Sequence, residues 1–334
     1  MKCRVCREPA VIDVRRHNAG FCGTCFVKHC RDQVVRAIES YTMFGPDDRV
    51  LVAVSGGKDS LALWDLLLDL GYRADGLYIG LGIGSYSDES GGYARRFATA
   101  RGAELVEVDL RESYGYDIPA GAAAARRAPC SACGLSKRHL FNQAALDGGY
   151  DAVATGHNLD DEAAVLFGNT LRWDVAYLGR QHPVLPAGNG FVRKVKPLVR
   201  LGEREMAAYC VLRGIDYIVE ECPMAEGNRH LGYKNALNEI EDRSPGSKAA
   251  FLFGFLDRIA PLVAPVAEAE RDGLHPCPGC GSPTVSEVCA FCKLVERAGG
   301  RVGPAEPGPA GASTPAEVAV APPVVRRSTE PARP

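Results

Sequence analysis

The stretch RVLVAVSGGKDS (residues 49–60) decides the fold. It opens with a short unbroken apolar run, the pattern of a strand buried on both faces of a parallel sheet. Two glycines and a lysine follow, where that strand hands over to a helix expected over 61–70. Glycines let the backbone N–H groups of Gly56 and Gly57 wrap phosphate oxygens, and the start of a helix adds a dipole that favours negative charge. Lys58 and the hydroxyls of Ser55 and Ser60 supply further donors, with Asp59 between them. The spacing is not that of a Walker A loop, G-x4-G-K-[ST]. Two glycines alone would mark only a turn with Lys58 in solvent; the complete SGGKDS after VLVAV favours a phosphate-binding loop.

Outward from this loop, strands and helices alternate. GLYIGL (76–81), AELVEVDL (103–110), DAVATG (151–156) and IDYIVEE (215–221) read as further strands. Helices are expected over 93–100, 135–146, 160–169 and 203–212. The order predicts an α/β fold: a parallel five-stranded sheet, right-handed crossovers and helices on both faces. Ligands of such sheets sit at the carboxyl ends of the strands, where the strand order reverses. A helix over 30–41 precedes the first strand, and another over 248–263 follows the last.

Downstream, TGHNLDDE (155–162) falls at the end of the fourth expected strand. A carboxylate pair there, Asp160 and Asp161, is a place to hold Mg²⁺ or orient phosphates. The same residues suit a helix start, with Asn158 or Asp160 as the cap, and the two roles are compatible. SGGKDS and this segment resemble the PP-loop (N-type) ATP pyrophosphatase superfamily, and T-G-H-x-x-D-D is similar to the motif of its tRNA-thiolating members. The resemblance implies an ATP whose pyrophosphate leaves while AMP passes to an acceptor oxygen.

Thirteen cysteines are too many for an ordinary core. Cys3, Cys6, Cys22 and Cys25 form C-x2-C-x15-C-x2-C, and Cys277, Cys280, Cys289 and Cys292 form C-x2-C-x8-C-x2-C. Each set reads as a knuckle closed by one Zn²⁺, which lets a segment too small for a core fold. Rubredoxin-like iron has similar spacing and stays open. Cys30 and Cys210, in apolar helical settings, read as small buried hydrophobes. Cys130 and Cys133 sit in the basic, loop-like APCSACGLSKR ahead of Lys137, Arg138 and His139, and Cys222 follows the fifth expected strand. Three thiolates are one short of a closed tetrahedral site. They read as ligands of a [4Fe–4S] cluster with one iron lacking a protein ligand, as a redox pair carrying persulfide, or as inert buried thiols. The basic loop setting disfavours the last.

The flanking knuckles, SGGKDS, C-x2-C-G, T-G-H-x-x-D-D and the late Cys-Pro together resemble the PP-loop tRNA 2-thiouridine synthetase family of TtuA type, over about residues 1–295. That family is related to the cytosolic wobble-uridine thiolase. The resemblance implies that Cys130, Cys133 and Cys222 hold a [4Fe–4S] cluster and that Lys137 and Asp161 take part in catalysis. It also implies that Ala53, Ser55, Lys58, Ile79 and Gly156 lie around ATP, and that Mg²⁺ accompanies the nucleotide. The implied activity is ATP-dependent tRNA 2-thiolation, in which uridine O2 is adenylated and replaced by sulfur. The first choice of target is 5-methyluridine 54 of the T-loop; wobble uridine 34, or a cluster-free persulfide route, are the alternatives. The implied partners are tRNA, a ubiquitin-like carrier with a C-terminal thiocarboxylate, and a second copy of the chain. No motif position departs from the family pattern; the Pro/Ala-rich tail does.

The 334 residues suggest about two domains. We expect a zinc knuckle at 1–28, a PP-loop catalytic domain at 29–265, a second zinc knuckle at 270–298 and a disordered tail at 299–334. A composition 46% hydrophobic and 24% charged excludes wholesale disorder. No run reaches the roughly 18 apolar residues of a membrane span, and MKCRVCREPA lacks the apolar core of a signal peptide, so the expectation is a cytoplasmic protein with no membrane contact. The net charge of −2 argues against a broad polycationic surface. Local runs remain that could track an RNA backbone: Arg95, Arg96 and Arg101; Arg126 and Arg127; Lys137 and Arg138; Arg193, Lys194 and Lys196. A PP-loop amidotransferase would need an ammonia source, and no glutaminase-like stretch is present. A non-catalytic zinc-ribbon RNA-binding module would tolerate Lys58→Ala.

Overall fold

The computed structural model describes residues 1–225, 229–269 and 273–302, with 306–307, 318–319 and 325–327 of the tail. The chain opens with the hairpin β1 (Ile12–Val14) and β2 (Ala19–Phe21), then α1 (Gly23–Ser40). Next come β3 (Arg49–Val54), α2 (Lys58–Asp69), β4 (Arg73–Gly80), α3 (Gly84–Arg101) and β5 (Leu105–Asp109). The helices α4 (Leu110–Tyr114), α5 (Ile118–Ala124) and α6 (Pro129–Asp147) lead to β6 (Ala152–Thr155). They are followed by α7 (Leu159–Arg172), α8 (Val175–Gly179), β7 (Val184–Leu185), β8 (Arg193–Val195) and α9 (Glu203–Arg213). The chain continues through α10 (Arg229–Arg243), α11 (Ser247–Arg258), α12 (Ala260–Ala269), β9 (His275–Pro276), β10 (Pro283–Thr284) and α13 (Ala290–Arg297).

The central sheet runs β5-β4-β3-β6-β8-β7. Five of these strands are parallel and β7 closes the edge antiparallel. Alternation places Val50, Val52 and Val54 of β3 in one core with α1, α2 and α9, and Leu51 in a second core with α5, α6 and α13. Burial on both faces is why β3 is apolar throughout.

The sheet has the five parallel strands expected, but the fifth is β8, not 215–221. Residues 215–221 form no ladder; the Ile218 N–H donates to the carbonyl of Gly56 at 3.0 Å, strapping this segment across the loop after β3. β8 is three residues long and begins Arg-Lys, so its sequence reads as a basic run rather than a strand. Three helices start earlier than their apolar spacing suggests: α1 at Gly23, inside the first knuckle, α3 at Gly84 and α6 at Pro129. The expected helix over 248–263 is two, α11 and α12, which meet at a 57° bend. Among the described residues no single helix is long and apolar enough to cross a membrane. The tail expected to be disordered lies mostly outside the described residues; its segment Val325–Arg327 pairs antiparallel with β5.

Candidate functional site

Strand order reverses at β3, which has β4 on one side and β6 on the other. The loops after β3 and β6 therefore meet at the switch point, where the sheet leaves a crevice. Gly56 has φ +74°, and a Cβ there would lie 2.2 Å from the Ser90 carbonyl oxygen of α3, so only glycine fits. The Ser60 hydroxyl accepts from the Ser55 N–H at 3.1 Å and donates to the Gly57 carbonyl at 2.9 Å, closing the loop on itself. Gly156, after β6, meets the same loop: a Cβ there would be 2.9 Å from the Ser60 nitrogen.

TGHNLDDE does start a helix. Asn158 caps α7, accepting from the N–H groups of Asp160 and Asp161 at 2.9 and 3.2 Å, while Asp161 accepts back from the Asn158 N–H at 3.1 Å. The Asn158 amide also donates to Asp59 at 3.0 Å, tying α7 to α2. Beyond the cap the two carboxylates diverge. Asp160 accepts from the Glu203 N–H at 2.8 Å and pairs with Lys248, whereas Asp161 pairs with Lys234 at 2.6 Å. They do not face one point as a joint cation site.

A cavity of about 480 Å³ opens at the strand ends. Ala53, Ser55 and Ile79 line one wall; Cys130, Cys133, Lys137 and Cys222 line another. Because α6 begins at Pro129, the CSAC segment is the first turn of a helix, not a loop. Spacings of three and four residues put Cys130, Cys133, Lys137 and Phe141 on one stripe of α6, facing the cavity. The Cys130 thiol donates to the carbonyl of Met224 at 3.5 Å, pinning the segment after Cys222 to that stripe. Burial, with Cys133 and Cys222 nearby, pushes the Cys130 thiol up, and Lys137 opposes this.

Lys58, Gly156 and Asp161 do not line this cavity. Lys58 donates to Glu203 at 2.7 Å and lies 3.2 Å from Asp59, whose carboxyl is pushed up by burial. The motifs also leave several residues unmarked. Phe141 continues the α6 stripe and follows once the helix is extended. Tyr86, which also lines the cavity, belongs to a part of α3 with no apolar spacing, and Glu203 and Lys234 carry no motif at all.

In each knuckle the four sulfurs lie within 4.8 Å of one another. Cys6–Cys22 is 3.4 Å, Cys280–Cys289 is 3.5 Å and Cys277–Cys292 is 3.8 Å. A tetrahedral ion at about 2.3 Å from each sulfur holds them about 3.8 Å apart, so both sets fit a metal ion. Cys130, Cys133 and Cys222 do not close to the same 4.8 Å, a spread too wide for one ion. Cys30 and Cys210 are fully buried, and burial pushes the Cys210 thiol up to about 12.

Both knuckles brace the site. Arg16, between the arms of the first, donates to Glu205 of α9 at 3.0 Å and to the Arg200 carbonyl at 2.9 Å. In the second, Phe291 stacks on His139 of α6 with ring centroids 3.7 Å apart, and Ser282 hydrogen-bonds the same imidazole at 3.1 Å. Burial pushes His139 down to about 4. Several cations from the basic runs are struts instead of free charges: Arg95 pairs with Glu107, Arg101 with Asp65 and Lys196 with Glu162. Arg126, Arg127 and Arg138 are exposed, with no acidic partner among the described residues.

Residues 2–27 match the family model for the N-terminal LIM domain of the 2-thiouridine synthetase TtuA. Over 294 residues the chain is 50% identical to tRNA-5-methyluridine(54) 2-sulfurtransferase of Thermus thermophilus, covering 88% of this chain and 91% of the relative. It is 43% identical over 294 residues to the protein of the same name from Pyrococcus horikoshii, covering 88% and 93%. The solved structure of the U34-tRNA thiolase NcsA from Methanococcus maripaludis with its [4Fe-4S] cluster matches at a TM-score of 0.74 and 25% identity, covering 89% of this chain and 96% of that one. With the loop, the cysteine stripe and both knuckles in place, the chain belongs to the PP-loop tRNA 2-thiouridine synthetase family of TtuA type and is an enzyme of the tRNA 2-sulfurtransferase kind.

Proposed function

We propose that the chain thiolates C2 of 5-methyluridine 54 in the tRNA T-loop, activating the base with ATP and using sulfide supplied by a donor through a [4Fe–4S] cluster that Cys130, Cys133 and Cys222 would hold. One observation carries the reading: the end of β3 and the three cysteines line a single cavity. Three thiols lining one cavity, one short of a closed tetrahedral set, suit a cluster with an iron free of protein ligands. The 5-methyluridine(54) name belongs to relatives at 50 and 43% identity, against 25% for the U34 thiolase, which favours the T-loop over the wobble position.

The C2 carbonyl of uracil is a poor electrophile and its oxygen a poor leaving group. In this reading O2 attacks the α-phosphorus of ATP, and pyrophosphate departs into the N–H groups of Gly56 and Gly57 with Lys58 and Mg²⁺. Ala53, Ser55 and Ile79 line the nucleotide's side of the cavity, and Gly156 lets the chain after β6 close against the loop at Ser60. Lys137, four residues after Cys133 on the cavity stripe, steadies the α-phosphate between the two reacting partners. Asp161 acts from beside the loop through its contact with Lys234. When bound, the cluster supplies a Lewis-acidic iron that keeps a sulfur nucleophile deprotonated near neutral pH. Sulfur adds at C2, and AMP leaves with the former O2.

The two four-cysteine sets hold structural Zn²⁺ in this reading. A thiocarboxylated ubiquitin-like donor and a homodimer rest on the family resemblance alone, and a cytoplasmic setting on the lack of an apolar span or signal-peptide core. The test is anaerobic: reconstituted enzyme, ATP, sulfide and a tRNA bearing 5-methyluridine 54, followed by mass analysis of the nucleosides. The expected product is 2-thio-5-methyluridine, with one AMP and one pyrophosphate per thiolation. Full activity from a colourless, iron-free enzyme would refute the cluster, and thiolation at position 34 alone would refute the target.

A further inference from the structure

Three carboxylates and two lysines converge beside the SGGKDS loop, from four helices. Lys58, at the start of α2, donates to Glu203 Oε1 at 2.7 Å. Lys234, from the middle of α10, donates to Glu203 Oε2 at 3.1 Å and pairs with Asp161 Oδ1 at 2.6 Å. One carboxylate thus holds an ammonium on each oxygen, and Asp59 stands 3.2 Å from Lys58 on the other side. The Glu203 side chain is 39% exposed and the two lysines 22% and 21%, so an incoming ligand can reach all three.

The charges are awkward for an anion site. Three carboxylates against two ammoniums leave an excess of negative charge where helix α2 and its glycine loop offer N–H groups to phosphate. The conflict is resolved if the lysines change partners. A lysine carries a compact charge on a flexible four-carbon stem and reorients at little cost, and both ammoniums already hang from a single half-exposed acid.

We propose that Lys234 is a second pyrophosphate-binding lysine, working with Lys58, and that Glu203 parks both ammoniums until the anion displaces it. This rests on the ATP-cleaving reading above. Asp161 keeps its contact with Lys234 throughout and so sets where that ammonium can swing. The two lysines then meet the charge that develops on the leaving pyrophosphate, which the α2 N-terminus cannot neutralise alone.

The experiment is calorimetric titration of the metal-loaded protein with inorganic pyrophosphate, and separately with AMP, for wild type, Lys234→Met, Lys234→Arg and Glu203→Gln. Lys234→Met should weaken pyrophosphate binding about tenfold or more, the usual worth of a charge-assisted contact. AMP binding should be unchanged, and Lys234→Arg should recover most of the loss. Glu203→Gln should bind pyrophosphate as tightly as wild type or several-fold more tightly, because it releases both lysines and removes a repelling charge. A purely structural Lys234–Glu203 strut predicts instead that both substitutions weaken binding alike. That result, or unchanged pyrophosphate affinity in Lys234→Met, or a parallel loss of AMP binding, would overturn the assignment. If wild type itself binds no pyrophosphate, the ATP-cleaving reading fails and the Lys234 assignment falls with it, an outcome distinguishable from the other three.

Discussion

Replacing Gly56 by alanine tests whether the SGGKDS loop is held by close approach to α3 or merely by turn preference. At φ +74° an L-residue costs about 1–2 kcal/mol relative to glycine. The added Cβ would also fall 2.2 Å from the Ser90 carbonyl oxygen and 2.9 Å from its carbon, so the loop must retreat from α3 by about 1 Å. Overpacking of this kind costs about 1–3 kcal/mol, giving about 2–5 kcal/mol in all. Gly71, between α2 and β4, is the internal control: φ is +86°, but nothing lies within 4 Å of its Cβ position. Gly71→Ala should therefore cost only the backbone share, about 1–2 kcal/mol. Urea unfolding at constant m-value reads both. The retreat has a functional signature as well. Since the Gly56 carbonyl accepts from Ile218, the strap leading to Cys222 moves with the loop. Gly56→Ala should lose both ATP affinity and cluster iron, and Gly71→Ala neither. Equal destabilisation by the two alanines, with normal ATP binding in both, would refute the close-approach argument.

Cys222→Ser should leave anaerobically purified protein with close to no iron, against about four per chain in wild type, while zinc stays at about two; elemental analysis of one sample reads both metals. Phe291→Ala removes the ring stacked on His139 and should cost about 3–5 kcal/mol. It should also shorten the lifetime of the cluster absorbance under chelator, because α13 braces the helix that carries Cys130 and Cys133. Glu205→Gln breaks a buried ion pair with Arg16 and should destabilise the chain by about 3–5 kcal/mol at neutral pH. The His29 imidazole 3.5 Å away and the hydrogen-bonded Arg16 guanidinium hold the Glu205 carboxyl below its usual range despite burial. Its contribution is therefore present above the ordinary carboxylate range and fades as pH falls through the depressed value. Wild-type and variant stabilities should converge on acidification, and a gap independent of pH would count against the pair.

The reach of sequence reading here follows from which interactions are local. SGGKDS, both knuckles and the TGHNLDDE cap are each contained within a few turns of chain, so spacing alone specifies them. The α6 stripe is half legible: Cys130 and Cys133 stand out by spacing, but their helix starts at Pro129 without an apolar repeat, and only the tertiary fit against α13 and the sheet makes it helical. Glu203 and Lys234 are invisible in the sequence, since what joins them is contact between α9, α10 and α2.

The segment 215–221 is the instructive failure. Its apolar run reads as a strand, but burial does not alternate along it: Ile215 and Tyr217 are half-buried and Ile218 buried, while Asp216 and Val219 are exposed. A short apolar run reports only that some of its side chains meet a core; it says nothing of where the backbone hydrogen bonds go. Here the Ile218 N–H goes to Gly56 rather than to a neighbouring strand. A ladder partner in the sheet would have fixed Cys222 at a strand end by register. A strap fixes it instead through the SGGKDS loop, so the position of the third thiol depends on the conformation of Ser55 to Ser60. Cys222 does stand beside Cys130, but not because a strand carries it there. The strap couples Cys222 and the cysteine stripe it faces to the SGGKDS loop through a backbone hydrogen bond of 3.0 Å.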